Sequence, residues 1–160
     1  MLGERVRYDA IIKQYPDLLN FITQYFDVIT VCPEVEIGLS VPRPAVQLYG
    51  SLDHIEVRGR DDPSIDITAN INQYCQQYPS QLSAIHGYIF KSKSPSCGIK
   101  DIPLFNNLGE ITDSTMGVFA QAMLQHYPNL PIIDEQALLN QSQCEHFLHQ
   151  VKQYQQKQIC

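Results

Sequence analysis

The sequence lacks the long hydrophobic runs and clustered basic residues that membrane and nucleic-acid partners require. No apolar run in the 160 residues approaches the roughly 20 residues that a transmembrane helix needs. The first seven residues also lack the apolar stretch of a secretory signal, so we predict a cytoplasmic protein. The net charge is −6, which disfavours non-specific binding to nucleic-acid phosphates. We therefore expect neither a membrane nor a nucleic acid among its partners.

Several common catalytic and cofactor motifs are absent as well. The sequence contains no CxxC pair, GxGxxG fingerprint, P-loop, HExxH or GxSxG motif. Its five cysteines are an odd number without the density of a disulfide-stapled scaffold. In a reducing compartment they are expected to be thiols or metal ligands rather than disulfides.

The pattern of apolar residues predicts one α/β domain over residues 1–160. A hydrophobic fraction of 44% and a charged fraction of 18% are typical of a soluble globular protein with one core. Helical and strand patterns alternate, which favours a mostly parallel sheet flanked by helices in three layers, with a small hairpin near residues 46–58. The predicted helices cover about residues 16–26, 66–78, 113–126 and 142–156, and the predicted strands cover 26–31, 84–90 and 130–133.

Each of two cysteines follows a predicted strand, Cys32 directly and Cys97 in the loop after the strand. Cys32 lies in Val-Cys-Pro-Glu, and Cys97 lies in Ser-Pro-Ser-Cys-Gly. Ligands of open α/β sheets bind at the carboxyl ends of the strands, so the two thiols suggest a site for a thiophilic metal or an iron–sulfur cluster. The alternatives are a small buried hydrophobic residue for Cys32 and a polar surface turn for Cys97.

Polar residues beside these thiols complete the candidate site. Glu34 is a candidate general acid–base, or else a solvated or helix-start carboxylate. Ser94 and Ser96 are candidate hydrogen-bond donors to cluster sulfurs. Arg43, between two prolines, would bind an anionic group of the substrate or form an internal salt bridge. Lys91 would contribute to the same small basic, substrate-binding pocket.

Several motifs together resemble the thiouracil desulfurase family, which was long catalogued as a domain of unknown function. The resemblance covers nearly the whole chain and keeps the motifs in the family's order. It rests on Leu2-Gly3-Glu4-Arg5-Val6-Arg7-Tyr8-Asp9, Val31-Cys32-Pro33-Glu34-Val35-Glu36-Ile37-Gly38-Leu39, Val41-Pro42-Arg43-Pro44 and Lys91-Ser92-Lys93-Ser94-Pro95-Ser96-Cys97-Gly98, with support from Gly117-Val118-Phe119-Ala120.

The resemblance implies a [4Fe-4S] enzyme that acts on a small thio-compound. Three cysteines would hold the cluster, and the open iron would bind the sulfur of a thiolated nucleobase and assist a non-redox replacement of C=S by C=O with release of sulfide. On this sequence Cys32 and Cys97 match the metal ligands. Glu34 and one of Ser94 or Ser96 match the positions for proton handling and for hydrogen bonds to the cluster.

The sequence departs from the family at its start. Members begin with a strand that ends in a Ser-Cys-Leu-Leu-Gly-like motif, whose cysteine is the first ligand, whereas this sequence begins inside that motif at Met1-Leu2-Gly3. The resemblance therefore implies a domain truncated at its N-terminal strand, with one of three ligands missing. The alternatives are a cluster-free, non-catalytic small-molecule-binding relative, or an inactive fragment of a longer protein. Longer relatives carry a fused helical domain.

Overall fold

The structure is a computed structural model that describes residues 5–11, 15–82 and 84–159. Met1 to Glu4 and Cys160 therefore lie outside the described residues. The described residues form five α-helices, of which α2 is a single turn: α1 Pro16–Tyr25, α2 Pro33–Glu36, α3 Thr68–Gln77, α4 Val118–His126 and α5 Gln141–Ile159. The same residues form six strands: β1 Val46–Ser51, β2 His54–Gly59, β3 Tyr88–Phe90, β4 Ile102–Phe105, β5 Ile111–Thr115 and β6 Ile132–Asp134.

The larger sheet has four strands in the order β2-β1-β4-β5. The predicted hairpin is confirmed as the antiparallel pair β1–β2, in which Leu48 is opposite Val57. β4 runs parallel to β1 and places Leu104 beside Leu48. All three of these side chains are fully buried and join the core formed with α3 and α4. The hydrophobic face of this sheet is thereby covered by two helices.

The smaller sheet has helices on both faces. It consists of β3 and β6, which run parallel. Tyr88 and Phe90 belong to the core shared with α3 and α4, whereas Ile89 packs against the second core, which α1 and α5 form with β6. Successive side chains of a strand point to opposite faces, so this alternation places the strands between two helical layers. The predicted three-layer α/β arrangement is confirmed here.

The sheets are mixed rather than mostly parallel. Two of the four strand pairs, β1–β4 and β3–β6, are parallel, and the other two are antiparallel. One reason is that no strand was predicted between residues 98 and 113, where β4 lies and β5 begins, and the end of β5 was predicted as the start of a helix. β5 ends at Thr115, and the helix predicted from Asp113 begins only at Val118.

The strand predicted over residues 26–31 is wrong. Residues 27–31 form no backbone hydrogen bond with any other described residue. Together with residues 85–89 they line a groove of about 580 Å³. A strand needs a neighbouring backbone, and β-branched side chains alone do not supply one. Within the described ranges, no helix is both long enough and apolar enough to cross a membrane.

Candidate active site

Glu34 is the centre of a buried hydrogen-bond network. Its Oε2 accepts hydrogen bonds from Nε and Nη2 of Arg43 at 3.0 and 2.6 Å, and its Oε1 accepts one from the Ser96 hydroxyl at 2.9 Å. The side chain of Arg43 is only 4% exposed, and Ser96 is 1% exposed. The Glu34 carboxylate thus links Arg43, nine residues later in the chain, to Ser96 in the distant Ser94–Gly98 loop.

Cys32 precedes this network at the start of α2. Its carbonyl accepts the N–H groups of Val35 and Glu36 at 3.0 and 2.9 Å, and Pro33 begins the helix because it has no N–H to satisfy. The thiol is half-buried, with Nη2 of Arg43 4.0 Å away and the carbonyl oxygen of Val6 3.9 Å away. Arg43 therefore contacts both the Cys32 thiol and the Glu34 carboxylate.

The loop Ser94–Gly98 forms the other side of the site, and its carbonyl groups accept hydrogen bonds from the start of α4. Carbonyl oxygens of Pro95, Ser96 and Gly98 accept hydrogen bonds from the N–H groups of Val118, Phe119 and Gly117 respectively, at 3.1, 2.9 and 2.7 Å. These contacts satisfy N–H groups that a helix start leaves without partners. The Ser94 hydroxyl oxygen accepts the N–H groups of Ser96 and Cys97 at 3.3 and 3.1 Å. Ser94 thus shapes the turn that holds Cys97.

Cys97 is electrostatically linked to the same network. Burial raises the pKa of its thiol, and the nearby charges of Glu34 and Cys32 raise it further. The charges of Glu34 and Cys32 therefore both act on the Cys97 thiol. Before any ligand binds, the raised pKa keeps Cys97 as a protonated thiol at neutral pH.

Lys91 takes part in a separate network. Its ammonium group pairs with Glu135, which is fully buried. Glu135 also accepts hydrogen bonds from the N–H and the hydroxyl of Ser92, both at 2.7 Å. No hydrogen bond or ion pair joins Lys91 to the other predicted site residues in the part of the chain described. Its predicted role in substrate binding stays a prediction, and the structure gives it an internal partner.

The described residues supply two thiols that could bind a metal centre, but they do not supply a complete set of metal ligands. Thiolates are the donors that iron–sulfur clusters take, and Cys32 and Cys97 fit that chemistry. Within residues 5–11, 15–82 and 84–159, no group of three or more His, Cys, Asp or Glu side chains could hold a metal ion. Cys144 lies in the second core, where its thiol donates to the Leu138 carbonyl at 2.9 Å. Cys75 is buried in the first core.

Two comparisons with known proteins found similar ones. The profile of the 2-thiouracil desulfurase family matches residues 1–135. This chain belongs to that family. A solved structure described as the [4Fe-4S]-dependent thiouracil desulfidase TudS is similar, with 27% sequence identity and a TM-score of 0.57. The similarity covers 86% of this chain and 87% of the other. No curated protein matched the sequence.

For this member of the 2-thiouracil desulfurase family, the sequence analysis gave no role in the site to two residues that shape it. Gly117 packs against the backbone of Ser96 and Cys97, so closely that an added Cβ would lie 2.5–2.7 Å from their atoms. Glu135 supports the loop through Lys91 and Ser92. Gly117 had a signal in the sequence, because it stands in the Gly-Val-Phe-Ala motif, whereas Glu135 lies in no such motif.

Proposed function

We propose that this protein removes sulfur from a thiolated pyrimidine such as 2-thiouracil, at a [4Fe-4S] cluster bound through Cys32 and Cys97. Membership of the 2-thiouracil desulfurase family supports the substrate class, and the printed description of TudS supports the cofactor. The observation that carries the proposal is the Glu34 carboxylate, which is hydrogen-bonded to Ser96, the neighbour of Cys97 in the chain, and to Arg43, whose Nη2 lies 4.0 Å from the Cys32 thiol. Further ligands to the cluster would come from outside the described residues or from the substrate.

The reaction we propose is a hydrolysis without a change of oxidation state. The oxygen of a water molecule adds to the carbon, and then forms its second bond to the carbon as the remaining C–S bond breaks. Both electron pairs of the former C=S bond leave with the sulfur, which takes up the two protons of the water and departs as hydrogen sulfide. When bound, the cluster would supply an iron that acts as a Lewis acid and accepts the sulfur.

The residues of this chain would handle the protons and fix the geometry. Glu34 would accept a proton from the attacking water, and the Ser96 hydroxyl would relay it, because the two oxygens are 2.9 Å apart. Arg43 would hold the carboxylate in place, since two of its N–H groups occupy Oε2 and leave Oε1 for Ser96. The guanidinium group of Arg43 already donates its hydrogen bonds to Glu34 and to the carbonyl of Val6. Arg43 therefore serves as a positioning residue in this proposal. Ser94 would hold the turn that presents Cys97.

The test is anaerobic reconstitution of the full chain with iron and sulfide, followed by assay with 2-thiouracil. We expect bound iron and acid-labile sulfide, conversion of 2-thiouracil to uracil, and loss of both in Cys32→Ser and Cys97→Ser. Cys144→Ser is the matched control, because Cys144 lies in the other core. A wild-type protein that takes up no iron would count against the proposal. Uracil formation that survives both substitutions at Cys32 and Cys97 would count against it equally.

A second candidate is a cluster-free protein that binds a small pyrimidine without converting it. The absence of a three-residue ligand set from the described part of the chain favours it. This candidate predicts that 2-thiouracil raises the melting temperature of the iron-free protein and that no sulfide is released. The same reconstitution experiment separates the two candidates.

A further inference from the structure

One edge of strand β3 has no neighbouring strand in the part of the chain that the structure describes. On its other edge it pairs with β6: the N–H of Tyr88 donates to the carbonyl of Pro131 at 2.9 Å. Likewise, the N–H of Glu135 donates to the carbonyl of Phe90 at 3.2 Å. Alternate residues of a parallel strand turn their backbone groups to the same neighbour, so Ile89 turns its N–H and carbonyl groups to the open edge. These two groups form no backbone hydrogen bond with another described residue.

A second stretch of backbone without partners, residues 27–31, lines the same groove of about 580 Å³ as Ile89. The residues on either side of it are extended, with φ values of −136° at Phe26 and −129° at Cys32. Within the stretch, Val28 is 44% exposed and Ile29 is 71% exposed. Such β-branched residues favour strands, yet here they have neither a paired backbone nor a covering layer. The groove is therefore lined by two backbone segments that could each accept a neighbouring strand.

Most side chains that line the groove are apolar, and they come from both helical layers. Ile22 and Phe147 belong to the core formed with α1 and α5, and Leu82 belongs to the core shared with α3 and α4. Among the described lining residues, only Asp27 and Lys152 are of the Asp, Glu, Lys or Arg type. A strand in this groove would have apolar side chains against both its faces, as inner strands of parallel sheets do. The groove therefore suits a peptide without charged residues.

We propose that this groove binds an extended, uncharged peptide segment of a second polypeptide, which adds a strand beside Ile89 and residues 27–31. The unpaired N–H and carbonyl groups of both segments select a peptide backbone, because an apolar small molecule would leave them without partners. Stretches of this length accommodate about five residues, or roughly 17 Å of strand. Alternating β-branched side chains of the peptide would pack into the two helical layers. The inference is independent of the proposed desulfuration.

The test is amide hydrogen exchange on the full chain, with and without a blocked peptide Val-Ile-Val-Thr-Val that carries a short lysine tail for solubility. We expect the peptide to slow exchange at Ile89 and at residues 28–31 at least about 10-fold and to raise the melting temperature. The control peptide has the same side chains, with N-methyl groups on alternate residues. Because it lacks N–H groups along one edge, it should produce neither effect.

A pair of charge substitutions locates the peptide. Ile29→Asp alters an exposed side chain, so it should keep the melting temperature but weaken peptide binding at least about 10-fold. Leu108→Asp is the matched control, because Leu108 is 83% exposed and lies outside the groove, between β4 and β5. It should bind the peptide like wild type.

Three results would overturn the inference. The first is an unchanged exchange pattern when the peptide is added. The second is equal binding of the N-methylated peptide, which would make the groove a site for apolar molecules in general. The third is slow exchange at Ile89 in the protein alone, since the groove would then already be filled, by a second copy if the protein is dimeric.

Discussion

The Ser96 hydroxyl donates a 2.9 Å hydrogen bond to Oε1 of Glu34, which lies 62 residues earlier in the chain. Both groups are largely shielded from water, and each belongs to a different one of the motifs that this chain shares with the thiouracil desulfurase family. The bond therefore joins the segment that carries Cys32 to the loop that carries Cys97. Its removal should affect the stability of the fold and the chemistry of the site together.

Ser96→Ala should lower both stability and activity. The lost bond has a charged, buried acceptor, for which we expect a decrease of about 1.5–3 kcal/mol in the free energy of unfolding. We also expect at least about a 100-fold slower formation of uracil, since proton transfer through Ser96 would be lost. Urea denaturation and a 2-thiouracil assay measure the two effects. Ser40→Ala, which removes an exposed hydroxyl, is the control. Wild-type activity in an iron-loaded Ser96→Ala protein would refute the proton-transfer role.

Arg43→Lys should destabilise the protein although the charge is kept. Arg43 uses Nε and Nη2 on Glu34 and Nη1 on the carbonyl of Val6 at 2.9 Å, and an ammonium group cannot reproduce this planar fork. We expect a loss of about 1–3 kcal/mol in the free energy of unfolding, because buried groups lose partners.

The control for Arg43 is the exposed pair Arg60–Asp61. These side chains are 51% and 73% exposed, so Arg60→Lys should change the free energy of unfolding by less than about 0.5 kcal/mol. Added salt should weaken the contribution of the exposed pair and leave that of Arg43 nearly unchanged. Equal effects of the two substitutions in denaturation experiments would contradict the buried role of Arg43.

Gly117→Ala should displace the Ser96–Cys97 backbone. The backbone of Gly117 has a φ of −62°, which alanine adopts freely, so the effect comes from contact alone. The added Cβ would lie 2.5 Å from the carbonyl carbon of Ser96 and 2.7 Å from the nitrogen of Cys97. We expect a loss of about 1–3 kcal/mol in stability and reduced uptake of iron.

Gly109→Ala is the contrasting variant. Nothing lies within 4 Å of its added Cβ, but its φ of +78° is unfavourable for alanine. It should therefore lower the melting temperature without changing iron uptake. If Gly117→Ala takes up as much iron as Gly109→Ala, the contact with the cysteine loop does not govern the site.

Glu135→Gln should destabilise the protein in a pH-dependent way. Burial works to raise the pKa of Glu135, but hydrogen bonds from Lys91 and Ser92 outweigh it and hold the pKa below its usual range. A depressed pKa contributes stability above the unfolded-state pKa of about 4.3, and this contribution is lost as the pH falls through the folded-state value. The difference between wild type and variant should thus be largest near neutral pH, at about 1–3 kcal/mol.

Denaturation curves recorded from pH 7 down to pH 3 check this expectation. Glu145→Gln serves as the control, since Glu145 is exposed and its partner Gln141 is exposed too. It should change the free energy of unfolding by less than about 0.5 kcal/mol across the range. A difference between wild type and Glu135→Gln that grows as the pH falls would contradict the assigned role of Glu135.

The sequence predicted those parts of the fold that depend on local pattern. The helix from Pro16, the hairpin at residues 46–58 and the long C-terminal helix follow from the spacing of apolar residues, and the structure contains all three. The prediction of a strand at residues 26–31 was wrong. Strand pairing depends on the position of a backbone segment that is distant in sequence, and the local residue types do not reveal that position. β4 was missed since Pro103 interrupts its pattern, yet the structure pairs Pro103 with Ser114.

At the site, the motifs predicted residues but not their partners. Glu34, Arg43 and Ser96 were each singled out, and the structure joins them in one network. Their connection could not be predicted because it depends on how two remote loops pack. Lys91 pairs with Glu135, a residue that no motif contains, since a buried carboxylate at the end of a short strand has no local signature.

The carbonyl groups of Pro95, Ser96 and Gly98 accept the N–H groups at the start of α4. The same hydrogen bonds restrict the movement of Cys97, which lies in this loop. If this loop moves away, the N–H groups of residues 117–119 lose their acceptors, so loop displacement and unwinding of the first helical turn occur together. Amide hydrogen exchange at Val118 and Phe119 therefore measures how often the thiol changes position. Slow exchange at these two amides would mean that a substrate reaches an already formed pocket, with no rearrangement of its cysteine-bearing wall.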